Sequence, residues 1–168
     1  CSSSAAADVE KRQPASILHT VERWSDHLHC TINGTSNMVS RYPHVVVLTL
    51  GTNHVYILKE TGEIVDNCRK QPQNLFEEKE LTADQCSEYL GRAVDRLHAD
   101  YSDVKVIITV SPIRYAKYGY HGSALSKAVL LLTEERLRTD YLKMVSYFPA
   151  YEILNDELRD YRFYDSDM

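Results

Sequence analysis

The hydrophobic positions of this chain fall into two kinds of pattern. Val45-Val46-Val47-Leu48-Thr49-Leu50 is a short apolar run rich in β-branched residues, and Val104-Lys105-Val106-Ile107-Ile108-Thr109-Val110 is another. Such runs predict strands, and runs without strict alternation predict strands covered on both faces of an α/β sheet. Between and around them the spacing is helical. Ile17, Leu18, Val21, Trp24 and Leu28 recur every three or four residues after Pro14, predicting a helix to about Cys30. Leu90, Val94 and Leu97 follow Thr82, a good cap, and predict a second helix to about Asp100. A third is expected from Ser123 or Ser126 to about Arg138, with Val129, Leu130 and Leu132 inward.

Smaller signals fill the gaps. Val55 to Leu58 reads as extended, with a hairpin turn at Glu60-Thr61-Gly62-Glu63 before Ile64-Val65. Asp66 to Phe76 and Tyr115 to Gly122 read as loops, and a third strand is expected within Met144 to Leu154, interrupted by Pro149. Thr31 to Ser40 is turn-rich and contains a glycosylation sequon at Asn33-Gly34-Thr35. Two strands separated by a helix form a βαβ unit. The pattern therefore predicts one α/β domain over residues 1–168, three-layered α/β/α with a mostly parallel sheet that is incomplete in this chain, led by a flexible stretch at 1–13.

Composition narrows the function classes. The formal net charge is −5, so no basic surplus exists to neutralise nucleic-acid phosphates or an anionic membrane. No apolar run approaches a membrane span. The four cysteines form no CxxC pair, and the seven histidines have no metal-ligand spacing, so neither a metal nor another cofactor is expected. Cys1-Ser2-Ser3-Ser4 fits a mature lipoprotein terminus; otherwise a cytoplasmic location is the default.

Candidate chemistry follows from the strand ends. In open α/β sheets ligands gather at the carboxyl edge of the strands. There the sequence places Gly51-Thr52-Asn53 after the first strand and Ser111-Pro112-Ile113-Arg114 after the second. Gly51 permits close backbone approach, and Thr52 and Asn53 offer short polar groups, so a Gly-x-Asn loop can donate to a developing oxyanion. Arg114 can bind an anionic or carbonyl-bearing substrate, or instead pair with one of the many C-terminal acids. His54 and His121 stand in the two mouth loops.

The motifs are also familiar in combination. Leu48-Thr49-Leu50-Gly51-Thr52 with Val55-Tyr56, Asn67-Cys68-x-Lys70-x-Pro72, Phe76, Thr109-Val110-Ser111-Pro112-Ile113-Arg114, Ser126-Lys127-Ala128, and Tyr147-Phe148-Pro149-Ala150-Tyr151-Glu152-Ile153 running into Asp156 to Tyr164 occur in one order from Val45 to Met168. In these segments the chain resembles the GSCFA domain family, a bacterial branch related to the SGNH (GDSL-like) hydrolases; the likeness does not clearly extend over residues 1–44. The resemblance implies ester hydrolysis through a serine nucleophile, of a small-molecule or glycan ester, with no cofactor. Gly51 and Asn53 match an oxyanion element, and Asp167 matches the acid of an Asp-x-x-His triad element whose histidine would fall beyond Met168. The namesake Gly-Ser-Cys-Phe-Ala is not in the sequence, and Arg69 and Tyr115 stand where the family has histidines. A serine triad short of a member loses orders of magnitude in rate. The 168-residue stretch is therefore expected to be an inactive fragment of an acyl-ester hydrolase, or alternatively a non-catalytic ligand- or glycan-binding module.

Overall fold

The computed structural model describes residues 13–22, 44–65 and 72–159. Residues 14–22 are helical (α1). Strand β1 (Val45–Leu50) is followed by β2 (His54–Leu58), β3 (Ile64–Val65) and β4 (Phe76–Glu80), then helix α2 (Ala83–Asp100), strand β5 (Lys105–Val110), helix α3 (Gly119–Asp140), strand β6 (Val145–Phe148) and the short helix α4 (Ala150–Glu152), which runs on as a π-helical turn over Ile153–Glu157. Two sheets result. One is parallel, in the order β1-β5-β6, and the other is antiparallel, in the order β3-β2-β4.

The α/β class and the parallel sheet are as the hydrophobic runs predict. β1 and β5 pair in register from Val45 with Lys105 to Leu50 with Val110. Their alternate residues Leu48, Leu50, Val106, Ile108 and Val110 are buried in one cluster with Ile17, Leu18 and Val21 of α1, Leu90, Val94 and Leu97 of α2, and Leu130 and Leu137 of α3. All three helices thus cover the same face of the sheet. The opposite face leaves Val45, Val47 and Phe148 half exposed (51, 53 and 52 %). Trp24, Leu28, the sequon loop and the stretch 1–12 lie outside the described residues.

Local sequence explains most boundaries. Thr82 caps α2 through a reciprocal capping box, its hydroxyl accepting from the Gln85 amide while the Gln85 side chain accepts from the Thr82 amide. Gly62 takes φ 73 in the β2–β3 turn, a left-handed geometry that suits glycine. Cys86 is a buried thiol whose pKa is pushed up to about 12 by burial, which makes it inert packing rather than a nucleophile. No helix among the described residues is long and apolar enough to cross a membrane.

Several expectations need correction. Phe76, read as the end of a polar loop, instead opens strand β4, which runs through Glu77–Glu80, residues given no element from sequence, and pairs antiparallel with β2. Its charges tolerate the exposed outer position in a small sheet. Helix α3 begins at Gly119, so Ser123 and Ser126 are not caps but buried interior residues. Leu132, expected inward, is 58 % exposed. The strand expected within Met144 to Leu154 ends at Phe148, and Pro149 opens α4. Proline lacks the N–H a strand would need next but suits a helix start.

Candidate functional site

The carboxyl edge of the parallel sheet is built from neighbouring strand ends. Because Leu50 pairs with Val110, the chain leaves β1 as Gly51-Thr52-Asn53 beside the point where it leaves β5 as Ser111 to Tyr115. The Ser111 amide donates back to the Leu50 carbonyl at 2.8 Å. The Ser111 hydroxyl accepts from the Ile113 amide, so it shapes its own turn. Thr52 and Asn53 are buried, and Gly51 is buried with them. Gly51 does not adopt a positive φ, so its value lies in the missing side chain rather than in turn geometry.

Helix α3 braces this corner from the opposite side. Ser126 Oγ accepts from the Asn53 amide at 3.1 Å and lies 3.1 Å from Thr52 Oγ1. Lys127, the next residue, donates through Nζ to the Gly51 carbonyl at 2.5 Å. The Thr52 hydroxyl in turn meets His54 Nδ1 at 2.9 Å, and His54 Nε2 lies 3.3 Å from Glu80 Oε1. A single direction of donation satisfies the whole chain: Asn53 N–H to Ser126, Ser126 O–H to Thr52, Thr52 O–H to His54 Nδ1, and His54 Nε2–H to Glu80. That is the neutral tautomer of His54. Burial pushes its pKa below the ordinary histidine value, against the opposing pull of Glu80 and Glu78.

Asn53 is held on both sides. Its Nδ2 donates to the Leu81 carbonyl at 2.8 Å, and its own carbonyl accepts from the Leu81 amide at 2.9 Å. The first bond fixes the amide orientation and leaves Oδ1 buried without a hydrogen-bond partner among the described residues. Lys127 is 2 % exposed. Its ammonium lies 5.7 Å from the ring centre of Tyr115, and no carboxylate lies within ion-pair distance among the described residues. Burial lowers its pKa to about 8.

An outer rim surrounds the corner. Tyr118 stacks on His54, ring centres 3.7 Å apart at 13°, and its hydroxyl donates to Glu78 Oε1 at 2.6 Å. Lys117 donates to Glu78 Oε2 at 2.5 Å and to the Tyr56 hydroxyl at 2.9 Å. Burial raises the Glu78 pKa, but the bonds from Lys117 and Tyr118 outweigh it and hold the carboxyl below its ordinary value. The Tyr118 hydroxyl is pushed far up, by burial first and then by Glu78.

Of the residues singled out in the sequence, Gly51, Thr52 and Asn53 lie together, with Ser111 at the adjoining strand end. Arg114 stands further out and exposed, its guanidinium 6.0 Å from the Tyr120 ring centre and in no ion pair among the described residues. Asp167 lies outside the described residues. His54 is the first residue of β2 rather than a loop residue, and His121 is exposed in the first turn of α3. Sequence reasoning gave no site role to Ser126, read as a possible helix start, or to Lys127 and Glu80. The signal that finds the first two is spacing: Ser123, Ser126, Lys127, Leu130, Thr133, Glu134 and Leu137 form one buried helical stripe, but most of it is polar.

An α/β protein with a braced polar corner at the carboxyl edge of its parallel sheet is thus defined. The GSCFA family model matches residues 5–168. The chain belongs to the GSCFA family, and the match reaches well before Val45, where the recognisable motifs begin. No curated protein and no solved structure matched the chain in comparison.

Proposed function

We propose that the Gly51-Thr52-Asn53 corner is the acyl-binding, oxyanion-side wall of an SGNH-like ester hydrolase site, with Asp167 as the triad acid and Ser111 and Arg114 contacting substrate. The observation that carries this reading is the bracing of the corner by Ser126 and Lys127 of α3. A group that stabilises developing charge has to be held in place before the reaction, so that no reorganisation is needed in the transition state. Two residues of one helix turn fix the Gly51 carbonyl and the Asn53 amide, and β4 with Leu81 fixes the Asn53 side chain. In the triad logic, a base takes the serine proton, the acid orients that base, and the Nδ2 hydrogen of Asn53 not given to Leu81 meets the carbonyl oxygen as it turns tetrahedral. The ester is that of a small molecule or a glycan.

A second reading is favoured by one observation. Asn53 spends an amide hydrogen on Leu81, which suits a corner that holds a polar ligand without transforming it. Hydrolysis of p-nitrophenyl acetate by the full-length protein separates the two readings. The hydrolase reading expects activity that falls at least tenfold in both Asp167→Asn and Asn53→Ala, each variant retaining a cooperative unfolding transition. Activity indifferent to both substitutions would move the assignment to the binding module.

A further inference from the structure

Two buried groups of this corner lack the partners their chemistry requires. Buried charges in proteins are paired or bind a ligand, because an isolated ion in a low-dielectric interior is costly. Lys127 has three ammonium hydrogens; one goes to the Gly51 carbonyl, and no carboxylate compensates its charge among the described residues. Asn53, two residues from Gly51, is 3 % exposed and keeps Oδ1 without a hydrogen-bond partner among the described residues. One group lacks an anionic acceptor and the other lacks a donor; Asn53 lies in the braced turn, and Lys127 reaches the same turn from α3 through the Gly51 carbonyl.

We propose that Lys127 is the anion-receiving residue of this corner: its ammonium binds an anionic oxygen of the ligand, while Asn53 Oδ1 accepts a hydrogen bond from a hydroxyl of the same ligand. The inference rests on reading the β1 corner as the ligand site, but it does not require turnover. It defines the ligand class as a molecule carrying a carboxylate or phosphate oxygen with a hydroxyl nearby. The bound anion reaches Nζ beside Tyr115, a half-buried loop residue whose ring centre lies 5.7 Å from the ammonium.

The test is a titration of the 15N-labelled protein with sodium acetate and, separately, with inorganic phosphate, following the Gly51, Thr52 and Asn53 amides. The two arms tell a carboxylate from a phosphate as the preferred oxygen. The expected result is saturable shifts at these amides for at least one anion, with the dissociation constant raised tenfold or more in Lys127→Met. The 13Cε signal of Lys127 gives a second measure in the unaltered protein. By linkage, a bound anion that contacts the ammonium raises its pKa, tenfold tighter binding to the charged form being one unit. Tyr115 from the β5–α3 loop and His54 beyond the Thr52–Ser126 pair are the titratable neighbours. The first is raised and the second lowered, so neither changes charge between pH 7 and 9. Equal affinity in Lys127→Met, an unmoved Lys127 pKa, or no saturable shift with either anion would each overturn the proposal. Failure of ester hydrolysis with this titration intact would count against the enzyme reading alone.

Discussion

Replacing Lys127 by Met should change sign in its effect on stability between neutral and alkaline pH. Methionine keeps the length of the side chain and removes the charge. In the folded protein burial lowers the Lys127 pKa from 10.5 to about 8. At about 1.4 kcal/mol per unit, the charged amine works against folding by about 3 kcal/mol at pH 7. The substitution removes that cost but leaves the buried Gly51 carbonyl without its donor, a loss of about 1–2 kcal/mol. Lys127→Met is therefore expected to be about 1–2 kcal/mol more stable than the unaltered protein at pH 7. The sign follows from proton binding. Between about pH 8 and 10.5 the unfolded chain holds the lysine proton and the folded one has released it, so the unaltered protein gains stability as pH rises. Near pH 10 its charge cost is nearly gone, and Lys127→Met should be the less stable of the two by about 1 kcal/mol. Urea unfolding of both proteins at pH 7 and pH 10 measures this. Taking the difference between them cancels the tyrosines Tyr118, Tyr141 and Tyr147, whose raised pKa values also act at alkaline pH. A stability difference that stays the same at both pH values would refute the reasoning. A lysine that costs stability at working pH is the kind of residue a binding or catalytic site retains.

Three further outcomes test the geometry. Ser126→Ala strands the buried Asn53 amide and weakens Thr52; it should cost about 2–3 kcal/mol in urea unfolding and speed exchange of the Asn53 amide, whereas a loss below about 0.5 kcal/mol would contradict the bracing. His54 has a lowered folded pKa, so below about pH 6.5 the unfolded chain binds the extra proton first and its contribution to stability falls with acidification. His54→Gln should flatten that part of the acid limb, which thermal unfolding between pH 7 and 5 would reveal. Thr82→Ala removes the hydroxyl half of the α2 capping box and should cost about 1 kcal/mol without changing the dependence of stability on pH.

The parts of the fold legible in the sequence are those where hydrophobicity and structure share a period. β1 and β5 are apolar because their alternate residues fill the core beneath the helices, the β2–β3 hairpin is marked by Gly62, and α2 carries both its cap and its apolar stripe. β4 escaped notice because Phe76-Glu77-Glu78-Lys79-Glu80 is charged on nearly every position; only pairing to β2 makes it a strand. On α3 the expected inward face holds for Leu130, which is buried, and for Val129, which packs against the core, but not for Leu132. The core-facing stripe includes Ser123, Ser126, Lys127, Thr133 and Glu134, while Leu125 and Leu132 point outward. A hydrophobic pattern selects Leu132 and passes over Lys127. The same inversion hid half of the candidate site. Gly51, Thr52 and Asn53 were visible from their position after a buried strand, but the residues that brace them sit more than seventy positions later on a polar helix face. Only the packing of α3 against the β1 corner brings the two together.

The most direct test of the account is to locate the reacting centre. The full-length, 15N-labelled protein is treated with a p-nitrophenyl alkylphosphonate, which leaves a tetrahedral phosphonyl group on an activated serine, and release of p-nitrophenol is followed together with the backbone amide spectrum. The account predicts stoichiometric release with the largest amide shifts at Gly51, Thr52 and Asn53, since the phosphonyl oxygen takes the place of the oxyanion. Stoichiometric release with these three amides unmoved would place the chemistry elsewhere and contradict the central claim.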